Sequence, residues 1–197
     1  MSNNLKFNFL KKRLLGQRTN INNSVEVIKK CISLAYQDMM DVGIYYLDTN
    51  LPKMDKQKTI NNNIRKDNFY NILVNNNFVF SIALIEEVTN IFGPSERITN
   101  SKNNYVTRFG LAQKLVNMTF KYLYIFSDEI DQTINFSNCD CPLDSIIIET
   151  LNLNETYTWS KLTKEEYLFL QTFINNVVED KDKYNELGRL LYDFKYW

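Results

Sequence analysis

Gly110-Leu111-Ala112-Gln113-Lys114-Leu115-Val116-Asn117-Met118-Thr119-Phe120-Lys121-Tyr122-Leu123-Tyr124 decides the fold, because one unbroken stretch carries a strong apolar stripe together with an ordered set of polar residues. Leu111, Leu115, Met118 and Tyr122 recur at the spacing of one helix face, and Ala112, Thr119 and Leu123 stand beside them. An apolar surface this wide predicts a central helix, from about Tyr105 to Phe126, covered by its neighbours. Lys114, Asn117, Lys121 and Tyr124 fall on the flank, which predicts a recognition surface.

The same periodicity recurs outward from this segment. A polar, partly basic lead, residues 1–23, holds Leu5, Phe9, Leu10, Leu14 and Leu15 at the spacing of a short amphipathic helix, expected to dock or to stay mobile. A long helix is predicted after Asn23 or Ser24, whose side chains accept from first-turn amides, burying Val27, Cys31, Leu34, Ala35, Met39 and Val42 and ending before Pro52. Residues 51–66 read as an asparagine- and lysine-rich loop. Helical character resumes from Asp67 to Phe92 with a break at Asn75-Asn76-Asn77, and Gly93-Pro94 stops it. Ser95 to Asn104 is a second polar loop.

After the central helix, Asp128 to Asp140 is acidic and polar. Pro142 is placed in the first turn of a helix running to about Leu151, in which Ile146-Ile147-Ile148 would also suit a short strand. Thr163 and Glu166 have capping-box spacing, starting a helix from Lys164 to about Val178 that is expected to bury Leu168, Phe169, Phe173 and Val177. A terminal helix is predicted from Lys183 to Phe194. Five glycines and three prolines are too few for the frequent tight turns of a sandwich or barrel. The expected fold is therefore an all-α, single-domain, multi-helix orthogonal bundle over 24–197.

With 197 residues and 44% hydrophobic content, the chain can bury one good core. Lys plus Arg and Asp plus Glu stand at 23 each, so no global polycation holds nucleic acid by counterion release, although Lys11-Lys12-Arg13, Arg18 and Lys29-Lys30 form a local basic patch. Histidine is absent, which removes the commonest general base and the main transition-metal ligand. No metal and no cofactor is expected. Cys31, Cys139 and Cys141 make neither a redox pair nor a zinc set and read as reduced thiols. No signal peptide and no membrane-spanning run of about 20 apolar residues is evident, so a soluble cytoplasmic protein is expected, without a membrane partner.

Lys114 and Asp144 are the candidate pair for chemistry, an amine and a carboxylate on distinctive helical segments; a salt bridge or a helix-capping carboxylate accounts for the same residues. Cys139 and Cys141 flank Asp140 just before Pro142, where helix-start amides can lower a thiol pKa, although small buried cysteines are ordinary core residues. Tyr45, Tyr46, Tyr122, Tyr124, Tyr157, Trp159, Phe194, Tyr196 and Trp197 are candidate interface anchors. Interleaved with Arg108, Lys114, Lys121 and Lys161, such aromatics can also stack the bases of single strands.

Gly110-x-Ala112-Gln113-Lys114, Asn117 followed by Lys121-Tyr122-Leu123, Cys141-Pro142-x-Asp144-Ser145-Ile146 and Trp159 together resemble a group of small uncharacterised bacterial helical proteins with the same order of motifs, over about the C-terminal half. That resemblance implies a site shared by Lys114 and Asp144 and names no activity. The chain also resembles helix-hairpin-helix DNA glycosylases, in which a glycine-containing turn precedes a lysine-bearing helix and a later proline-x-aspartate opens another. This implies Lys114 as nucleophile and Asp144 as its aspartate, although Arg108-Phe109-Gly110-Leu111 lacks the glycine-rich hairpin and the lysine-to-aspartate interval is long. Two functions are expected from these readings. The first is binding of a macromolecule, a protein before a nucleic acid, in a phage or mobile-element setting such as defence or counter-defence, through Arg108, Gln113, Asn117, Lys121, Tyr124 and Trp159. The alternative is a DNA-binding or base-excision glycosylase-like enzyme using Lys114 and Asp144.

Overall fold

A computed structural model describes residues 11–16, 19–40, 55–92, 98–99, 105–178 and 185–196. Expectations placed on Leu5, Phe9, Leu10, Arg18, Val42, Tyr45, Tyr46, Pro52, Gly93, Pro94, Lys183 and Trp197 lie outside these residues. The regular structure of the described chain is helical apart from a two-residue antiparallel ribbon. In it Ile98–Thr99, expected as loop, pairs with Tyr105–Val106, expected as the first residues of the central helix, which starts instead at Arg108 behind a Thr107 cap. The principal helices are α1 (Ser24–Met40), α2 (Asp55–Asn75), α3 (Ile82–Thr89), α4 (Arg108–Ile125), α5 (Ser145–Thr150), α6 (Lys164–Val177) and α7 (Leu190–Tyr196). Helical turns also form at 11–15 and 185–187.

Helix α4 is the axis of the molecule, with every residue from Gly110 to Leu123 buried. Helices α1 and α3 cover it most extensively, and α2 packs behind α1. Val27, Cys31, Ala35 and Met39 of α1 are fully enclosed, and Phe120 of α4 meets Phe80 edge-on at 5.3 Å. The larger of these, Val27, Met39 and Phe120, each contribute about 1.5–3 kcal/mol through apolar burial.

The expected break at Asn75-Asn76-Asn77 is a helix stop. Asn77 takes φ +50°, Phe78 N–H reaches the Leu73 carbonyl at 2.9 Å, and Asn77 N–H reaches Val74 at 3.0 Å, the paired bonds that close a helix C-terminus. Phe78 also adopts φ +55°, a strained conformation for a bulky residue, and its ring is buried in return.

Residues 55–66, expected to be loop, extend α2 instead. Their lysines, glutamine and arginine are good helix formers, and adding turns to a helix already anchored by Phe69 and Leu73 needs no new nucleus. A polar contact from α1 reaches this extension, Tyr36 Oη donating to Asn62 at 3.1 Å, and Lys29 pairs with Asp67 just beyond it at 3.0 Å.

Several other expectations are corrected. Helix α5 begins at Ser145 behind an Asp144 cap, so Pro142 stands in the extended segment ahead of it, and Ile146-Ile147-Ile148 is helical. The terminal helix is broken by Gly188, at φ +57°, where a Cβ would lie 2.7 Å from the Cys139 carbonyl oxygen. Within the basic run, Lys11 is buried and ion-paired with Asp128 and Glu129, each at 3.2 Å, which docks the 11–15 turn onto the body.

Candidate functional site

The backbone of the turn Trp159–Lys161 crosses the start of α4. Thr107 caps the helix through the Gly110 amide at 2.9 Å, its hydroxyl donates to the Leu162 carbonyl at 2.6 Å, and its own amide reaches the Ser160 carbonyl at 2.8 Å. The crossing is so close that a Cβ on residue 110 would lie 2.7 Å from the Trp159 carbonyl oxygen. Glycine is therefore required there. One turn further along α4, the Trp159 ring covers Lys114, whose Nζ is 4.6 Å from the ring centroid.

The Cys139 carbonyl accepts from the Arg189 main-chain amide at 2.9 Å, and the residues from Cys141 to Leu143 are held by side chains where a sheet would use neighbouring strands. Gln171 of α6 receives the Cys141 amide at 3.1 Å and donates to the Cys141 carbonyl at 2.7 Å. Gln113 of α4 treats Leu143 the same way, donating to its carbonyl at 3.1 Å and accepting from its amide at 3.4 Å. Buried main-chain groups must find partners, and these two amides supply them. The clamp delivers Asp144 to the start of α5, where Oδ1 accepts from the Ile147 amide at 2.9 Å and Oδ2 faces Lys114 Nζ at 3.9 Å. The candidate pair and Trp159 are thus brought together, and the helix cap and a long ion pair coexist on one carboxylate.

A second polar chain runs deeper. Asn117 donates to Tyr167 Oη at 3.0 Å, Tyr167 donates to Asp140 at 2.6 Å, and Asp140 accepts from Arg189 Nε at 2.6 Å. Lys121 pairs with Asp193 of α7 at 2.5 Å with both side chains enclosed. Tyr122 Oη donates to Asp38 of α1 at 2.7 Å. Burial pushes the Asp140 and Asp193 carboxyls above the usual carboxylate range despite their cationic partners. Burial likewise holds the Lys114 amine below the usual lysine range, against the opposing pull of Asp144, Asp38 and Asp193 and with a further push from Lys121.

These positions correct the expected recognition flank. Gln113 and Asn117 are wholly buried, Lys121 is 2% exposed and Trp159 7%, and Tyr124 is half-buried between Phe136 and Phe194. Arg108, at the N-terminal end of α4, is half-exposed, and Lys161 is exposed. Burial also raises both thiols flanking Asp140, so Cys139 and Cys141 are protonated core thiols and the reactive-cysteine reading falls.

Reading apolar content alone missed Asp140, Tyr167, Gln171, Arg189 and Asp193. It also chose the wrong face of α6, for the buried residues are Tyr167, Leu170, Gln171 and Ile174. Tyr167 and Gln171 face inward because their polar tips satisfy Asp140 and Cys141, which turns Leu168, Phe169 and Val177 to solvent. Among the described residues, no cluster of carboxylates and thiols is placed to hold a metal ion, and no helix is long and apolar enough to cross a membrane. Comparison with protein families, curated proteins and solved structures finds no match.

Proposed function

We propose that the chain binds a protein partner through the outer face of α6. The observation that carries this reading is a row of apolar side chains left in solvent. Phe169 is 52% exposed, Leu168 39% and Val177 38%, with Phe173 half-buried among them and the Tyr157 ring 6.4 Å from Phe169. Phe169, Phe173 and Val177 follow one another at four-residue spacing, a line along the helix rather than scattered exposure. Glu155 and Glu166 lie beside Tyr157 at one end of the row, and Glu155 accepts from Tyr157 Oη at 2.7 Å. The partner that fits is a helix of another protein whose apolar stripe ends in basic residues.

Nuclease-treated pull-downs test this by comparing the wild type with Phe169→Asp and with Ile64→Asp, the latter at an apolar side chain equally exposed on α2. The expected result is a protein retained by the wild type and by Ile64→Asp, lost by Phe169→Asp, and eluted by salt. Capture that survives Phe169→Asp removes the reading, and a wild-type dimer that Phe169→Asp dissociates replaces it with self-association.

A second reading rests on the meeting of Lys114 and Asp144 at 3.9 Å within a desolvated setting. It is a base-excision enzyme in which Lys114 attacks a sugar carbon and Asp144 stabilises positive charge on the sugar. Borohydride trapping on abasic and damaged duplexes tests it: an adduct formed by the wild type and absent from Lys114→Arg supports this reading, and no adduct on any duplex discards it.

A further inference from the structure

We infer that Lys114 is a carbonyl-capturing amine, which forms an imine with small uncharged aldehydes or ketones between the Asp144 carboxylate and the Trp159 ring. This deepens the second reading and rests on its assignment of Lys114 as nucleophile, but it does not require DNA.

The geometry sets Lys114 apart from an ordinary structural lysine. Its side chain is more than nine-tenths buried, yet among the described residues it meets only a carboxylate oxygen at 3.9 Å and an aromatic face at 4.6 Å, with no acceptor at hydrogen-bonding distance. The ammonium form therefore depends on the little solvent that reaches Nζ to satisfy its three N–H donors, whereas a neutral amine asks for less. Desolvation is one of the conditions that make a lysine nucleophilic at neutral pH, and at Lys114 it outweighs the pull of Asp144. Asp144 is fixed by its capping bond through Oδ1, which leaves Oδ2 to exchange protons with Nζ after a small side-chain movement. The Trp159 ring, itself pinned by the crossing over Gly110, shields one side from water.

The step balances with these groups alone. The Nζ lone pair forms a bond to the carbonyl carbon as the C=O π pair moves onto oxygen, and Asp144 takes one nitrogen proton and hands it to that oxygen, giving a carbinolamine. The nitrogen lone pair then expels the hydroxyl, to which Asp144 relays the second nitrogen proton. Water leaves as the C=N bond forms, so amine plus carbonyl gives imine plus water with no change of oxidation state.

The test treats the full chain with limiting propionaldehyde and cyanoborohydride at neutral pH and maps alkylated lysines by peptide mass. Lys114 is expected to be labelled on the order of tenfold faster than the exposed Lys12 and Lys161. Asp144→Asn, which keeps a good helix cap, should slow labelling at Lys114 while leaving Lys12 and Lys161 unchanged. Labelling of Lys114 no faster than of Lys12 overturns the inference, as does an Asp144→Asn variant labelled at the wild-type rate. Propionaldehyde capture without any trapped DNA adduct keeps the inference and discards the base-excision reading; absence of both discards both.

Discussion

Lys114 and Lys121 lie two turns apart on one face of the same buried helix, and each faces an aspartate, but only one of the two pairs is closed. Lys121 and Asp193 meet at 2.5 Å with side chains 3% and 1% exposed; Lys114 and Asp144 stand 3.9 Å apart at 9% and 13%. The closed pair joins α7 to α4 and has no freedom to do anything else. In the open pair the carboxylate is divided between a helix cap and a lysine, and the lysine rests on an aromatic ring. Two identical residue pairs on one scaffold are therefore set up for different work by the distance between their charges and the duties of their oxygens.

The largest effect should come from breaking the closed pair. Asp193→Ala leaves Lys121 as an uncompensated buried charge, an expected loss of about 3–5 kcal/mol in urea unfolding, and the double variant Lys121→Met with Asp193→Leu should recover much of it. Next is the wall of the open pair. In Gly110→Ala the new methyl meets the Trp159 carbonyl, for about 1–3 kcal/mol, and the displaced indole should change its emission in a Trp197→Phe background. Asp144→Ala should cost only about 1 kcal/mol, the value of a lost helix cap, because Lys114 keeps some access to solvent. Equal losses in Asp144→Ala and Asp193→Ala would erase the distinction between the two pairs.

The smallest effect carries the opposite sign. Lys114→Met should be neutral or stabilise by up to about 1 kcal/mol, since removing a desolvated, loosely paired charge relieves the fold. The folded-state amine is less basic than the unfolded one, so its cost is present in full below the folded pKa and fades as pH rises through that value toward the unfolded one. Unfolding of wild type and Lys114→Met from neutral to alkaline pH should therefore show the wild type gaining on the variant. A gap that widens with pH would mean that the open pair is a second closed one.

Much of this arrangement was legible in the chain. The stripe of Leu111, Leu115, Met118 and Tyr122 identified α4, Thr163 with Glu166 gave the capping box that starts α6, and Lys114 with Asp144 was singled out as a pair. The closed pair was not, because Asp193 sits beyond a break at Gly188 and its distance from Lys121 in sequence leaves no local pattern. Helix α6 was misread for a different reason. Periodicity weighs apolarity, and the inward face was chosen by the hydrogen bonds of Tyr167 and Gln171, while Phe169 and Val177 were left outside. The first half of α2 was missed because its sequence is rich in lysine and asparagine and carries no apolar rhythm to read, and the contact it makes with α1 through Asn62 is polar.

The stretch from Cys141 to Leu143 is extended chain without a sheet, its rungs supplied by Gln113 and Gln171. A ladder between strands is written in main chain and outlasts most changes of side chain. Here each rung is written in one codon, so replacing either glutamine by leucine erases a rung, which makes these two positions, far from any exposed surface, the fragile letters in the text that tells Asp144 where to stand.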